Sequence, residues 1–175
     1  NGFSGNNMFT YKYSHESGIN LTVSYINASD AVTDVSYSDA GITYTGMDGL
    51  TLGYGEGDVE NVTNTKSNES TMFAKYAIGA ATVGIQVSEK DMETGTDTES
   101  TGIGVSYQVN DDLTVSYGTN TLEKSGSDDQ EAQAIGISYT MGSLGIALSM
   151  NQVDNIAHTA TNDREGYQLG LSFAF

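Results

Sequence analysis

Tight turn signals recur along this chain about every 31 or 32 residues, near Ser17-Gly18, Asp48-Gly49, Gly79-Ala80, Asp111-Asp112 and Gly142-Ser143. One further step of that length from Ser143 falls on Phe175, the last residue. Between successive turns lie two stretches of alternating apolar and polar residues, separated by a longer acidic segment. Alternation with a period of two marks a strand with unlike faces, because successive side chains leave opposite sides of the backbone. Each interval is therefore a β-hairpin unit with a tight turn at one end and a long loop at the other. Such units restrict the chain to an all-β, antiparallel, up-and-down fold. Regular exchange of short and long connections is the layout of a transmembrane β-barrel.

Alternation predicts eleven strands, over about 8–15, 19–27, 36–46, 50–58, 71–79, 82–90, 100–109, 113–122, 132–141, 144–152 and 166–175. One parity is apolar in most of them: Phe9, Tyr11 and Tyr13; Leu21, Val23 and Tyr25; Ile103, Val105 and Tyr107; Tyr167, Leu169, Leu171 and Phe173. In the third strand Val35 and Tyr37 are out of phase with Ile42 and Tyr44, which predicts a bulge or a late start there. The long connections are expected around 28–35, 56–70, 89–100, 123–131 and 153–165.

The opposite parity is small and polar, as in Gly102, Gly104, Ser106 and Gln108, or Ser116 and Gly118. A closed soluble barrel or sandwich needs bulky residues inside to fill its core. Here the consistent assignment turns the apolar parity toward lipid and the small parity toward water, leaving an open lumen. Lys12, Lys75 and Asp39 are the charged candidates for that lining, with Gln86, Ser106, Gln108 and Ser116 among its polar members. Charges in a pore bias which ions pass. On alternate strands Tyr13, Tyr44, Tyr76, Tyr107, Tyr139, Phe173 and Phe175 sit near the short-turn end, the pattern of a membrane-girdle of aromatic residues. Tyr25, Tyr54 and Tyr117 lie low for a second girdle at the other interface.

Composition narrows the function. No run of about 18 apolar residues could cross a bilayer as a helix, a test to which barrels are blind. A formal charge of −17 with only six basic residues argues against nucleic acid and anionic surfaces as partners. Cysteine is absent, which removes disulfides, thiolate metal sites and cysteine nucleophiles. His15 and His158 are the two candidates for a general base, one beside a short turn and one in the last long loop, an unpromising arrangement for a catalytic triad. Loop acids such as Asp91, Glu93, Asp97, Glu99, Asp128, Asp129 and Glu131 are expected to make the outer mouth negative, giving a mild cation preference. They could also hold Ca²⁺ or bridge it to lipopolysaccharide, although solvated loop charge is the simpler expectation.

The closing Tyr167-Gln-Leu-Gly-Leu-Ser-Phe-Ala-Phe175 resembles the C-terminal signal of Gram-negative outer-membrane proteins. Repeated Val-Ser-Tyr segments at 23–25, 35–37, 105–107 and 115–117, and Val-Asn-Asp-Asp-Leu-Thr-Val-Ser-Tyr-Gly at 109–118, are similar to general diffusion porins of the alphaproteobacterial type. The resemblance implies a homotrimer of 16-stranded barrels in the bacterial outer membrane, contacting lipid and lipopolysaccharide, with passive transport of small hydrophilic solutes through a diffusion channel. An eleven-strand chain would then be the C-terminal part of one barrel domain over 1–175, incomplete at its N-terminus. Five strands and the constriction loop would precede Asn1. The leading expectation is a porin with no enzymatic activity and no cofactor. A non-transporting barrel, acting as an anchor or adhesin through its acidic loops, is the alternative, and a soluble lectin-like sandwich a more remote one.

Overall fold

The computed structural model describes residues 8–26, 36–60 and 65–174. Eleven strands form along them: β1 (Met8–Ser14), β2 (Ile19–Ile26), β3 (Ser36–Met47), β4 (Leu50–Glu60), β5 (Lys66–Ile78), β6 (Ala81–Met92), β7 (Thr98–Gln108), β8 (Leu113–Lys124), β9 (Gln130–Met141), β10 (Leu144–Asp154) and β11 (Arg164–Phe173). They follow one another in a single antiparallel sheet whose spatial order is the chain order, the up-and-down pattern expected. No helix is long and apolar enough to cross a membrane. The chain divides into two compact units: Asn1–Ala74 with Val87–Glu99, and Lys75–Gln86 with Ser100–Phe175.

The short turns have the chemistry that reversal of a strand demands. Gly49, Gly79 and Gly142 take positive φ of 74°, 56° and 59° in two-residue turns, a region that suits glycine. The four-residue turn before β8 is closed by the Asn110 side chain. Its Oδ1 accepts the backbone N–H groups of Asp112 and Leu113, both at 2.9 Å, so the Asn holds the turn by local hydrogen bonding.

In the second unit the register carries the alternation from strand to strand. Leu148 stands opposite Leu169 and Ile137, and Ile146 opposite Leu171 and Tyr139. Between them Ala147 meets Gly170 and Ser138. Val115 opposite Ile137 and Ser116 opposite Gly136 extend both faces to β8. The first unit does the same, with Leu21 opposite Tyr13 and Ile42, and Thr22 opposite Lys12 and Gly41.

Two expectations need correction. The strands run further toward the long loops than alternation suggests: β4 reaches Glu60, β5 begins at Lys66, and β8 and β9 pair as far as Leu122 opposite Gln130. Asp91, Glu99 and Glu131, read as loop acids, therefore lie in strands. Both parities are polar there, so alternation fades while the backbone ladder continues to satisfy every N–H and C=O it can reach. The other correction concerns β3, where pairing with β4 is unbroken from Ser36 to Tyr44 and the irregularity falls between Tyr44 and Met47. Val35 lies outside the described residues; Tyr37 is out of phase because it occupies the small face, where it hydrogen-bonds Asp39 two residues on. The displaced irregularity adjoins a close approach. Thr45 N–H donates to the Gly18 carbonyl at 2.9 Å, and a Cβ on Gly18 would lie 2.3 Å from the Gly46 nitrogen.

Candidate functional site

Among the described residues, Ile26 is the only apolar side chain that is buried. Large apolar groups instead stand open along one parity: Leu169 is 61% exposed, Ile103 55% and Leu148 48%. Cross-strand pairs join Leu148 with Leu169 and Ile137, and Ile137 with Val115, into an exposed apolar strip of the kind a soluble monomer seldom leaves open. Among the described residues there is no apolar interior; each unit presents one face of large apolar groups and one of small or polar groups.

The aromatic residues singled out at the short-turn end lie on the apolar parity. Tyr13, Tyr76, Tyr107, Tyr139 and Phe173 are exposed, and Tyr44 is half-buried. Phe175 lies outside the described residues. Further up the same face the apolar stretch gives way to a polar ladder. Tyr117 Oη donates to Gln133 Oε1 at 3.3 Å, Gln133 Nε2 to Gln152 Oε1 at 3.0 Å, and Gln152 Nε2 to the Asp154 carboxylate at 3.0 Å. Tyr54 likewise donates to Glu56 at 2.7 Å. The low-lying tyrosines thus mark where apolar side chains end and hydrogen-bonding ones begin, which an amphipathic ring suits.

The small face of the second unit forms a groove of about 460 Å³, whose lining includes Lys75, Gly84, Ser106, Ser116, Gly136 and Ser149. Three of the seven residues picked from the sequence, Lys75, Ser106 and Ser116, therefore meet in one place. Depth here comes from absent side chains: a Cβ on Gly136 would come within 2.5 Å of Ser116 Oγ. Gln86 shares the parity of Gly84, and Gln108 ends β7 with its backbone N–H bonded to the Ala80 carbonyl at 2.8 Å. In the first unit Lys12 stands opposite Thr22, and Asp39 opposite Ser24 and Gly57. Thr10 Oγ1 donates to Ser24 Oγ at 3.3 Å, so these residues share the small face.

Four members of this face escaped the sequence reading. Phe73 and Tyr37 are bulky where the pattern is small; a Cβ on Gly53 would meet the Phe73 ring at 2.2 Å, so the aromatic lies over a glycine. Lys124 and Arg164 sit at strand ends beyond the range where alternation is legible. Lys90, noted near a strand end, has its Nζ on Glu69 Oε1 at 2.5 Å. His15 Nδ1 shares a 2.8 Å hydrogen bond with Ser17 Oγ and closes its own turn, while His158 Nδ1 bonds the Asp128 carbonyl at 2.9 Å and ties the last loop to the one before it. Among the described residues no three His, Asp or Glu side chains are grouped to hold a metal ion.

Strands with one lipid-like and one water-like face, joined in chain order, define the wall of a transmembrane β-barrel. Residues 89–175 match the family described as Gram-negative porin. No curated protein sequence matches the chain. Solved structures similar to it include an anion-selective porin from Comamonas acidovorans, at 18% identity and a TM-score of 0.81, over 97% of this chain and 60% of that one. Another is the trimer form of OmpT, an outer membrane protein of Vibrio cholerae, at 15% identity and a TM-score of 0.74, over 96% and 64% respectively. A porin refined at 1.8 Å resolution gives 18% and 0.78, over 95% and 60%. The chain thus spans about 60–64% of the length of these structures. The porin fold and the bacterial outer-membrane location expected from the sequence both stand.

Proposed function

We propose that this chain forms wall of a water-filled outer-membrane channel through which small hydrophilic solutes and ions diffuse passively, with no chemical step. The observation that carries the reading is the inversion of its surfaces. Apolar side chains are turned out along one parity with Ile26 alone buried among the described residues, and the other parity is mostly small and polar, rich in Gly, Ser, Thr and Gln. An apolar exterior suits lipid, and glycine and serine leave the space beside them to water. In this reading Lys12, Lys75, Asp39, Gln86, Ser106, Gln108 and Ser116 line the aqueous path. Tyr13, Tyr44, Tyr76, Tyr107, Tyr139, Phe173 and Phe175 form the girdle at the periplasmic interface.

Assembly as a homotrimer of single-domain barrels, in contact with lipid and lipopolysaccharide, belongs to the same proposal; the trimer form recorded for V. cholerae OmpT supports it. The mild cation preference expected from the acidic loops has weaker support, because several of those acids lie in strands on the apolar parity and a structural neighbour is described as anion-selective. Reconstitution of the full-length native protein into planar bilayers tests the reading. Stepwise, ohmic conductance is expected, and its absence would sink it.

A further inference from the structure

The channel reading leaves the favoured charge undecided, but the strands sort their ionisable groups by face. In the second unit the strand carboxylates are Glu123, Glu131, Asp154 and Glu165, and all four share the apolar parity. Glu131 stands opposite Asp154, and Glu165 opposite Gln152. Glu123 follows Tyr117 by alternation. The small face of the same unit carries Lys75, Lys124 and Arg164, with no strand carboxylate among the described residues. Arg164 stands opposite Val153, itself opposite Ala132, which fixes its side. Lys75 lines the groove, and Lys124 follows Ser116, Gly118 and Asn120 by alternation. None of the three makes an ion pair among the described residues.

The first unit is neutral by comparison. Its small face holds Lys12 and Lys90 against Asp39 and Glu69, and Lys90 is already bound to Glu69. Its other strand acids, Glu56, Asp58, Glu60, Glu89, Asp91 and Glu99, are on the apolar parity. In a chain of net charge −17, the small face of the second unit is therefore basic among the described residues.

We propose that the channel favours small anions, with Lys75, Lys124 and Arg164 setting that preference. The inference rests on the channel reading above. A charge lining water between low-dielectric walls has its field focused along the permeation path, whereas carboxylates on the outer parity act through the wall or through bulk electrolyte. Loop carboxylates Asp128, Asp129 and Asp163 lie close along the chain to Lys124 and Arg164 and oppose them. Lys75, near the short-turn end of β5, lies most of a strand away, where a Debye length of roughly 8–10 Å at physiological salt screens them.

The test is the zero-current potential of the full-length native protein in neutral planar bilayers under a KCl gradient. Chloride is expected to be more permeant than potassium. The triple variant Lys75→Gln, Lys124→Gln, Arg164→Gln should bring the permeability ratio to one or below, and Lys75→Glu alone should shift it further than Lys75→Gln. Glu131→Gln with Asp154→Asn, on the outer parity, should leave it within about the scatter of the wild type. Far-UV circular dichroism and heat-modifiable gel mobility establish that each variant folds. A potassium-preferring wild type, or an unchanged potential in a folded triple variant, overturns the inference while the channel stands. Absence of conductance removes the channel reading and this inference with it.

Discussion

The two faces of β10 and its neighbours are made by opposite rules from the same eleven residues. Leu144, Ile146, Leu148 and Met150 meet Phe173, Leu171, Leu169 and Tyr167 on β11, so the outward side is a ladder of large apolar groups. Gly145, Ala147 and Ser149, lying between them, meet Ser172, Gly170 and Gln168. Hydrogen bonding along the backbone is identical for both sides, so the difference lies in which solvent each is shaped for. A soluble β-protein hides its large residues between layers. Here the large residues stand exposed on one face and small ones on the other, and in the channel reading lipid and water are the two halves of the packing problem.

The sharpest way to break this contrast is to place one charge on each side of a single strand. Leu148→Arg, in the middle of the apolar ladder, should destabilise the protein by about 2–4 kcal/mol in lipid vesicles. Ala147→Arg, one residue earlier and on the small face, should cost no more than about 0.5 kcal/mol, as surface changes do, while altering single-channel current. Equal costs by denaturant unfolding would mean that the faces are wrongly assigned. The small face is not uniformly open, however. Gly53→Val drives its side chain into the Phe73 ring, whose nearest atom is 2.2 Å from the first added carbon. Overpacking of this kind costs about 1–3 kcal/mol. A Cβ on Gly104 would meet only the Tyr117 carbonyl, at 3.9 Å, so Gly104→Val should leave stability nearly unchanged but reduce conductance. Adding Phe73→Ala should restore most of what Gly53→Val loses; a strictly additive double variant would exclude the contact as the cause.

The same contrast explains how far the sequence can be read. Wherever one parity is apolar and the other small, as in Tyr167–Phe173, alternation reports both the strand and its faces, and the register agrees with it. Turns are equally legible, because Asp48-Gly49 and Gly142-Ser143 place glycine where positive φ is needed. Legibility ends where both parities become polar. Glu131 and Asp154 pair across β9 and β10 without any pattern to announce it, and Arg164 is invisible as a small-face residue for the same reason. Tyr37 and Phe73 are a different failure. An aromatic on the small parity looks like a phase error until its partner is known: Asp39 is two residues from Tyr37 on the same face, but the pairing of Phe73 with Gly53 depends on a register between strands that spacing does not give.

The boundary between these zones can be located by a smaller effect. Gln152 shares the parity of Leu148 but belongs to the polar ladder with Gln133 and Asp154. Gln152→Arg should therefore cost only about 0–1 kcal/mol, the range for a charge near the interface rather than at the midplane. A penalty as large as that of Leu148→Arg would extend the apolar zone beyond Tyr117 and Tyr167.

The smallest effect concerns the ion pairs of the first unit, which differ by face. Lys90 and Glu69 meet on the small parity with side chains 43% and 47% exposed, and Lys66 and Glu60 on the other at 3.6 Å, exposed by 65% and 40%. Partial exposure limits each pair to about 0.2–1 kcal/mol, because water screens the attraction and two long side chains lose freedom. Glu69→Gln should sit at the upper end of that range and Glu60→Gln at the lower, given the shorter contact and the greater enclosure of Lys90. Both penalties should shrink when unfolding is repeated at about 1 M salt, where the Debye length is about 3 Å. Glu69→Gln also frees Lys90 on the small face, so it should move the zero-current potential toward anions while Glu60→Gln leaves it in place. A shift produced by Glu60→Gln would mean that the outer parity does reach the permeation path, and the separation of the two faces would be electrostatically incomplete.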